Sequence, residues 1–381
     1  MTRYAITGSA IANCLGADRT AVMERAFAGI DGFSPASAYA DFPFATSLGV
    51  MPIHETTRLA GVAMPAVRAL EPAVRAAIGR WGADRVAYLF ASSTGGLEET
   101  ERTLAPDPRL PAAIAYSYVN HGIDALNDRI AALLGVTGVR MAVSTACSSS
   151  FKALASALRL IDAGLADAAI VGSADSLTRT TIFGFHSLGL LAPTPTAPFS
   201  ATRAGITLGE GSAFILVERE TAATRPHAEA WIAGVGGASD AFHHTSPHPE
   251  GLGGQLAMRE ALDRAGLSPG QIGLVSAHGT GTKLNDAAEA SAITRVFERR
   301  VPVTATKSLT GHTLGSAGLT ALILALEALR RQELSVSLRA TPIDAALGLD
   351  IVTERTAAKL EHVLINAFGF GGSNATVVVS A

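Results

Sequence analysis

Short apolar segments rich in strand-forming residues alternate along almost the whole chain with longer segments rich in Ala, Leu and Arg. Strands that alternate with helices in this way predict an α/β architecture with largely parallel sheets. The predicted strands are 3–11, 85–93, 140–146, 168–174, 212–220, 230–239, 273–279, 301–307, 334–340, 350–354, 362–368 and 375–381. The predicted helices are 22–30, 151–164, 253–266, 285–300 and 319–332.

The two halves of the chain follow the same plan. Each places a junction of small residues between a strand and a long Ala-rich helix, TACSSSFKALASAL in the first half and KSLTGHTLGSAGLTALILAL in the second. Such an internal repeat predicts two structurally similar halves, which we divide at residues 1–228 and 229–381. A chain of 381 residues with 48% hydrophobic content can bury a large core of this kind.

The composition argues against several classes of protein. The chain carries 30 Lys and Arg against 33 Asp and Glu, a net charge of −3, so we expect no bulk electrostatic binding to nucleic acid or to a membrane surface. Two cysteines provide no disulfide framework and favour a reducing, cytoplasmic location. The apolar segment 318–329 is interrupted by Glu327 and is too short to span a membrane, so we predict a buried core helix.

One of the two cysteines has unusual neighbours. The stretch VSTACSSSFKALASALRLIDAG, residues 143–164, places Cys147 among small hydroxyl residues between an apolar strand and a helix. A thiol at a helix N-terminus meets N–H groups that stabilise a thiolate, and such N–H groups can also bind an oxyanion. We therefore predict that Cys147 is a nucleophile rather than a structural core cysteine. Cys14 has no such neighbours and is expected to be inert.

Two histidines occupy similar places in the second half. AHGTGT (277–282) places His278 at a strand end, and KSLTGHTLGSAG (307–318) places Lys307 five residues before His312. Strand ends that lead into glycine-rich loops are the usual place for catalytic groups in α/β proteins. Lys307 is one of only four lysines in a chain that otherwise uses Arg, which indicates a specific use of its compact ammonium group.

Two further loops are candidates for binding. NAFGFGGSN (366–374) contains three glycines that permit unusual backbone angles and close substrate approach, and no P-loop lysine or Rossmann spacing accompanies them. SDAFHHTSPHP (239–249) holds three histidines, for which a metal site is the alternative interpretation. No cysteine is close and an adjacent His pair does not point to one face, so we predict no metal site and a polar loop near a site entrance.

Together the motifs TACSSS, AHGTGT, KSLTGHTLGSAG and NAFGFGGSN resemble those of the β-ketoacyl-acyl carrier protein synthases, the elongating condensing enzymes of type II fatty acid synthesis and their polyketide relatives. The resemblance covers nearly the whole chain. It implies a thiolase-like fold, with duplicated βαβαβαββ halves in a five-layered α/β/α/β/α core, and usually a dimer. It also implies an acyl carrier protein as partner and a condensation with malonyl carrier protein that needs no cofactor.

The resemblance also implies roles for residues of this chain. Cys147 would accept the acyl group, and its backbone N–H and that of Phe370 would form an oxyanion hole. His278 and His312 would promote decarboxylation and stabilise the enolate, with Lys307 beside them. Phe370 would gate the acyl pocket. The remaining implied site residues are Phe368, Gly369 and Gly371 around the gate, Thr280 and Thr282 along the pantetheine arm, and Asp240 and His243 on a loop that moves with the gate.

Some residues depart from the pattern of the fatty-acid enzymes. The ACSSS sequence is more typical of polyketide ketosynthases. Ala321 stands where a Glu usually follows His312 by nine residues, and Ala197 stands where some relatives have a carrier-binding Arg. A specialised polyketide or aryl-polyene pathway therefore stays open, as does a homodimer or a heterodimer with a chain-length-factor-like subunit. A degradative thiolase would need a second C-terminal cysteine, and a non-catalytic partner subunit would lack Cys147.

Overall fold

Sixteen strands and eleven α-helices are present in the computed structural model, which describes residues 3–53, 55, 57–104, 118–124, 126–297 and 299–381. The strands are β1 (Tyr4–Asn13), β2 (Ser34–Pro35), β3 (Ser47–Gly49), β4 (Val86–Ala91), β5 (Arg140–Val143), β6 (Ala168–Asp175), β7 (Leu208–Gly209), β8 (Gly211–Arg219), β9 (Ala230–Ser239), β10 (Leu274–Ser276), β11 (Pro302–Thr304), β12 (Glu333–Leu334), β13 (Asp350–Ile351), β14 (Thr356–Ala357), β15 (His362–Gly369) and β16 (Ser373–Ser380). The α-helices are α1 (Arg19–Phe27), α2 (Arg58–Trp81), α3 (Leu97–Leu104), α4 (Tyr118–His121), α5 (Asn127–Leu134), α6 (Ser149–Asp162), α7 (Arg179–Ser187), α8 (Leu252–Ala265), α9 (Lys283–Val296), α10 (Lys307–Thr310) and α11 (Ala317–Arg331).

Eleven of the described strands form one hydrogen-bonded sheet in the order β13-β11-β10-β15-β16-β9-β1-β8-β6-β4-β5. Pairing is parallel only on the two flanks, whereas the central pairings from β15 to β6 are antiparallel. The prediction of largely parallel sheets is therefore wrong for the centre. A short connection such as the turn 370–372 between β15 and β16 can join only antiparallel neighbours.

The same strand order occurs in both halves of the chain. The first half runs β5-β4-β6-β8-β1 across the sheet and the second runs β11-β10-β15-β16-β9. When the additional edge strand β13 of the second half is left out, both orders, counted along the chain, are third, second, fourth, fifth and first. The first strands of the halves, β1 and β9, lie side by side and pair through three residues each. The repeat suggested by the sequence is thus visible in the topology, while the exact division between residues 228 and 229 stays a prediction.

Helices cover the sheet in three layers. Helices α2 and α5 pack on the outer face of the first half, and α8 and α9 pack on the outer face of the second. Helices α6 and α11 lie between the halves and meet in the central core, where Phe151 and Leu154 join Leu319 and Leu322. The predicted five-layered α/β/α/β/α order is confirmed. Each such fully buried side chain contributes about 2 kcal/mol of hydrophobic stabilisation.

Helix α11 contains segment 318–329, for which the sequence predicts a buried core helix. The charge of Glu327 within this buried helix is balanced by ion pairs. Its carboxylate contacts Arg330 at 2.5 Å, Arg331 at 2.6 Å and Arg19 at 3.6 Å. Among the described residues, no helix is long and apolar enough to cross a membrane.

The predicted strand 334–340 is wrong beyond its first residue. Only Leu334 belongs to a strand, the two-residue β12. Arg339 has a left-handed backbone with φ 60°, which an extended strand cannot contain. Its guanidinium instead binds Asp31 and the backbone carbonyl of Ser308.

Candidate active site

Cys147 lies in a tight turn between β5 and α6. Ala146 before it has a left-handed φ of 51°, and Ser148 after it is the N-cap of α6. The thiol is 7% exposed. The backbone N–H groups of Ser148 and Ser149 donate to the carbonyls of Thr145 and Ala146 within the turn. These first donors of the helix are therefore used by the turn itself and are not free to stabilise a thiolate.

The expected stabilised thiolate is not what the surroundings of Cys147 favour. Burial raises the pKa of the Cys147 thiol to about 11, although the charge of Lys307 and the backbone N–H groups of Phe370 and Cys147 lower it. Desolvation outweighs these favourable contacts. At neutral pH the resting residue is a thiol, with two backbone donors beside its sulfur. Cys14 is also a protonated thiol, because burial raises its pKa to about 12.

His312 follows α10 in the second half of the chain and reaches across to the cysteine. Its Nε2 lies 3.0 Å from Cys147 Sγ. Its Nδ1 accepts a hydrogen bond of 3.1 Å from the backbone N–H of Leu314. Burial and the nearby Lys307 charge hold the pKa of His312 well below its usual range, so the ring is neutral. A neutral imidazole that accepts at Nδ1 carries its proton on Nε2, the nitrogen that faces the sulfur.

His278 follows β10 and stands beside His312, with ring centroids 5.3 Å apart. Lys307 Nζ lies 3.1 Å from His278 Nδ1 and also donates to the His278 backbone carbonyl. Burial, Lys307 and His312 all lower the pKa of His278, so this ring is neutral too. An ammonium that donates to Nδ1 leaves the ring proton on Nε2. Both imidazoles therefore offer an N–H donor, and both are buried next to the thiol.

Two buried carboxylates support these groups and were not predicted from the sequence. Glu289 accepts hydrogen bonds from the backbone N–H groups of His278 at 2.7 Å and Gly279 at 2.8 Å. Burial lowers the pKa of Lys307 to about 8, and Glu289 is the largest influence that raises it. Asp286 accepts from the backbone of Gly281 at 3.1 Å. The sequence feature that could have identified them is their spacing. Two acidic residues three positions apart lie on one face of a helix, here α9.

The loop after β15 closes one side of the thiol. Gly369 is packed so tightly that a Cβ there would lie 3.2 Å from the backbone nitrogen of Cys147. The Phe370 ring stacks obliquely on Phe185 of α7, with centroids 5.4 Å apart. Gly371 has a left-handed φ of 79° and donates to the backbone carbonyl of His244. The glycine-rich loop and the histidine-rich loop are thus hydrogen-bonded to each other.

A cavity of ≈ 200 Å³ leads from the surface to Cys147. Most of the residues proposed from the sequence line it: Cys147, His278, His312, Thr280, Thr282, Asp240, Phe368, Gly369, Phe370 and Gly371. Lys307 stands behind His278, and His243 is exposed on the adjoining loop, where its Nδ1 accepts from the backbone of Thr245 and Ser246.

The spacing of the three innermost groups would also suit a metal ion. Within the described part of the chain, Cys147, His278 and His312 are the one group of ligating side chains close enough to share an ion. A neutral histidine ligates through a nitrogen that carries no proton. Because Leu314 and Lys307 place the imidazole protons on Nε2, the cluster presents donors rather than lone pairs, and it suits an oxyanion better than a cation.

Comparison with known proteins decides the family. The family model described as beta-ketoacyl synthase, N-terminal domain, matches residues 65–223, and the one described as beta-ketoacyl synthase, C-terminal domain, matches residues 229–341. The chain belongs to the β-ketoacyl synthase family. Together the two matches cover most of the chain and include three of the four motifs, while NAFGFGGSN (366–374) lies beyond the second match.

Individual members of the family are similar over the whole length. The chain is 30% identical to 3-oxoacyl-[acyl-carrier-protein] synthase 2 of Staphylococcus aureus strain COL, covering 99% of this chain and 97% of that protein. Among solved structures, the ketosynthase in complex with its chain length factor from Xenorhabdus doucetiae has a TM-score of 0.91 and 34% identity, covering 100% of this chain and 98% of that one. A β-ketoacyl synthase from Burkholderia phymatum has a TM-score of 0.87 and 27% identity, covering 100% of this chain and 99% of that one.

The two departures from the fatty-acid members of the family lie in different places. Ala321 is buried in α11 within the central core, so no carboxylate reaches Lys307 from that position. Glu289 supplies the opposite charge instead, from α9. Ala197 is half-buried and precedes the segment that Asp286 anchors through the backbone of Phe199.

Proposed function

We propose that this protein is a β-ketoacyl-acyl carrier protein synthase, which condenses a Cys147-bound acyl chain with malonyl carrier protein and extends it by two carbons. The observation that carries the proposal is the 3.0 Å contact between Cys147 Sγ and His312 Nε2, with the second neutral imidazole of His278 beside it. A nucleophile next to two neutral N–H donors suits a reaction that passes through an acyl enzyme and an enolate.

The first half-reaction transfers the acyl group. The Cys147 sulfur attacks the thioester carbonyl, a C–S bond to the carrier breaks, and the thiol proton leaves with the carrier sulfur. The developing oxyanion would accept from the backbone N–H groups of Cys147 and Phe370, both of which lower the pKa of the Cys147 thiol. The pantetheine arm would lie in the cavity alongside the hydroxyls of Thr280 and Thr282, which are hydrogen-bonded to each other at 3.0 Å.

The second half-reaction forms the carbon–carbon bond. Malonyl carrier protein loses carbon dioxide, and the electron pair moves onto the thioester as an enolate. Its oxygen would accept from the Nε2–H groups of His278 and His312, because both rings are held neutral with their protons on that nitrogen. The enolate carbon then attacks the acyl group on Cys147, the C–S bond breaks, and Cys147 leaves as a thiolate that takes up a proton from solvent to regenerate the thiol. The departing carbon dioxide drives the step without a metal or redox cofactor.

Intact mass tests the proposal directly. The protein is mixed with a panel of acyl carrier protein thioesters of different chain lengths, with Cys147→Ala as the matched control. An acyl adduct on the wild-type protein alone, followed by condensation after malonyl carrier protein is added, is the expected result. A folded wild-type protein that takes an acyl group from no carrier would refute it.

A second candidate is the ketosynthase subunit of a polyketide or aryl-polyene system. The observation that favours it is the similarity to the Xenorhabdus ketosynthase, which was solved with its chain length factor, at 34% identity over the whole chain. In that case the purified protein would be acylated but would not condense until a chain-length-factor-like subunit is supplied. Condensation by the protein alone, as a homodimer, would decide for the first candidate.

We further infer a cytoplasmic location with acyl carrier protein as the partner. The proposed chemistry needs Cys147 as a free thiol, and both cysteines are unpaired. A reducing compartment preserves such thiols.

A further inference from the structure

A buried carboxylate joins the two halves of the chain next to the site. Asp175, the last residue of β6, is fully buried. Its Oδ1 accepts from Ser92 Oγ, from the backbone of Ser93, and from the backbone and hydroxyl of Thr94, at 2.7–2.8 Å. Its Oδ2 accepts from Ser93 Oγ at 3.1 Å and from the backbone N–H of Gly315 at 2.6 Å. Within the described residues no basic side chain pairs with it, so neutral donors alone hold this group.

The bond to Gly315 reaches the segment that follows His312. Leu314 has a left-handed φ of 52°, which costs a non-glycine residue about 1 kcal/mol and persists only where the surroundings hold it. The N–H of this same residue donates to His312 Nδ1. Gly315 itself has no room for a side chain, because a Cβ would lie 2.8 Å from Asp175 Oδ2 and 3.1 Å from the Ser93 nitrogen.

We propose that Asp175 is a positioning residue for His312. By holding Gly315, its carboxylate keeps the preceding N–H of Leu314 on His312 Nδ1. That contact fixes the ring proton on Nε2, towards Cys147 and towards the enolate oxygen. The inference rests on the proposed function, because it assigns His312 Nε2 to the decarboxylation of malonyl carrier protein.

The two half-reactions depend on this contact to different extents. If the segment relaxes, Nδ1 loses its donor and the ring can carry its proton there instead. Nε2 would then turn a lone pair towards the enolate oxygen, and the two acceptors would repel each other. Nucleophilic attack by Cys147 uses the backbone donors of Cys147 and Phe370, which Asp175 does not touch, and the charge of Asp175 only raises the pKa of the thiol. Loss of Asp175 should therefore slow decarboxylation selectively.

The test compares two rates in one variant. Asp175→Asn keeps the shape but replaces one acceptor oxygen by an amide nitrogen. We expect release of carbon dioxide from malonyl carrier protein to fall on the order of 100-fold, as misplaced catalytic groups do, while alkylation of Cys147 by iodoacetamide is not slowed, because the charge of Asp175 raises the pKa of this thiol. The control is Ser92→Ala, which removes a donor from Oδ1 and leaves the Gly315 contact in place. It should change both rates less than about threefold.

Other outcomes overturn the inference. Equal losses of both rates, unchanged decarboxylation, or the same selective loss in Ser92→Ala would make Asp175 a general structural residue. If Asp175→Asn does not fold, Ser93→Ala takes its place, since its hydroxyl lies 3.1 Å from Oδ2 and 3.3 Å from the Gly315 nitrogen. A smaller selective loss of decarboxylation is expected there, and its absence refutes the inference. A wild-type protein that releases no carbon dioxide, either alone or with a chain-length-factor-like subunit, would instead refute the proposed function.

Discussion

His312 Nε2 lies 3.0 Å from Cys147 Sγ, although 165 positions separate the two residues in the chain. The contact joins the turn before α6 in the first half to the segment after α10 in the second. Each half of the chain therefore supplies one of two side chains that act together in the proposed reaction. The predictions below test what this contact and its supports do.

Replacing His312 by alanine removes one of the two proposed enolate donors. Loss of a single donor of this kind costs about 10²–10³ in rate. We expect His312→Ala to lower release of carbon dioxide from malonyl carrier protein by that factor, while the protein stays folded. The matched control is His227→Ala, since His227 is exposed. Equal rates in the two variants would contradict the proposed role of His312.

The reactivity of Cys147 should rise steeply with pH. Burial raises the pKa of this thiol to about 11, so the thiolate fraction increases about tenfold per pH unit below that value. The alkylation rate by iodoacetamide, followed at Cys147 by peptide mass spectrometry, should follow this curve. Lys307→Met removes a charge that lowers this pKa and should slow alkylation at a fixed pH below about 8, where Lys307 is protonated. A rate that levels off below pH 8 would show a stabilised thiolate instead.

Condensation should decline in alkaline solution as Lys307 loses its proton. Burial lowers the pKa of Lys307 to about 8, and deprotonation leaves a neutral amine, which is a weaker donor to His278 Nδ1 than the ammonium. Since the charge of Glu289 raises the pKa of Lys307, Glu289→Gln should move this decline to lower pH. The pH profile of kcat in the two proteins measures the shift. An identical alkaline limb in both would exclude Lys307 as the titrating group.

Glu327 should stabilise the fold in a pH-dependent way. Burial opposes its ionisation, but Arg330 and Arg331 outweigh burial and hold its pKa at about 2, against 4.5 in an unfolded chain. A depressed pKa contributes stability above pH 4.5 that is lost as the pH falls towards 2. Glu327→Gln should therefore lower the free energy of unfolding by about 1–3 kcal/mol at pH 7 and by less at pH 3.

Urea denaturation at the two pH values measures that difference. The control is Glu361→Gln, because Glu361 pairs with Lys359 while both side chains are exposed. Solvent screens such an exposed pair, so it contributes little to the free energy of unfolding. A Glu327→Gln variant with the same loss at both pH values would contradict the assignment.

The parts of the site that the sequence predicted share one physical basis. Cys147, His278 and His312 come after β5, β10 and β11, in the connections where α/β proteins usually place catalytic groups. Strand ends followed by Gly, Ser and Thr are visible in a single sequence. The lining of the cavity by Thr280 and Thr282 follows from the same loop.

What the sequence did not predict depends on contacts between distant residues. Helix α2 was missed because Pro65 and Pro72 interrupt its helical signal, although packing in the outer core overrides that local preference. Asp175 and Glu289 were missed because a carboxylate in a sequence is usually a surface residue. The thiol of Cys147 was expected to be ionised, since its burial and the turn that uses the neighbouring N–H groups exist only in the folded chain.

The division of the site between the halves has a consequence during protein synthesis. The ribosome makes Cys147 well before His312, and residues 368–374 come later still. A nascent or truncated chain therefore carries the thiol without the imidazoles, the glycine-rich loop or the cavity. Until nearly the whole polypeptide has been released, Cys147 has only the reactivity of an ordinary cysteine towards the acyl groups of the cell. The enzyme is therefore inactive until its final strands have joined the sheet.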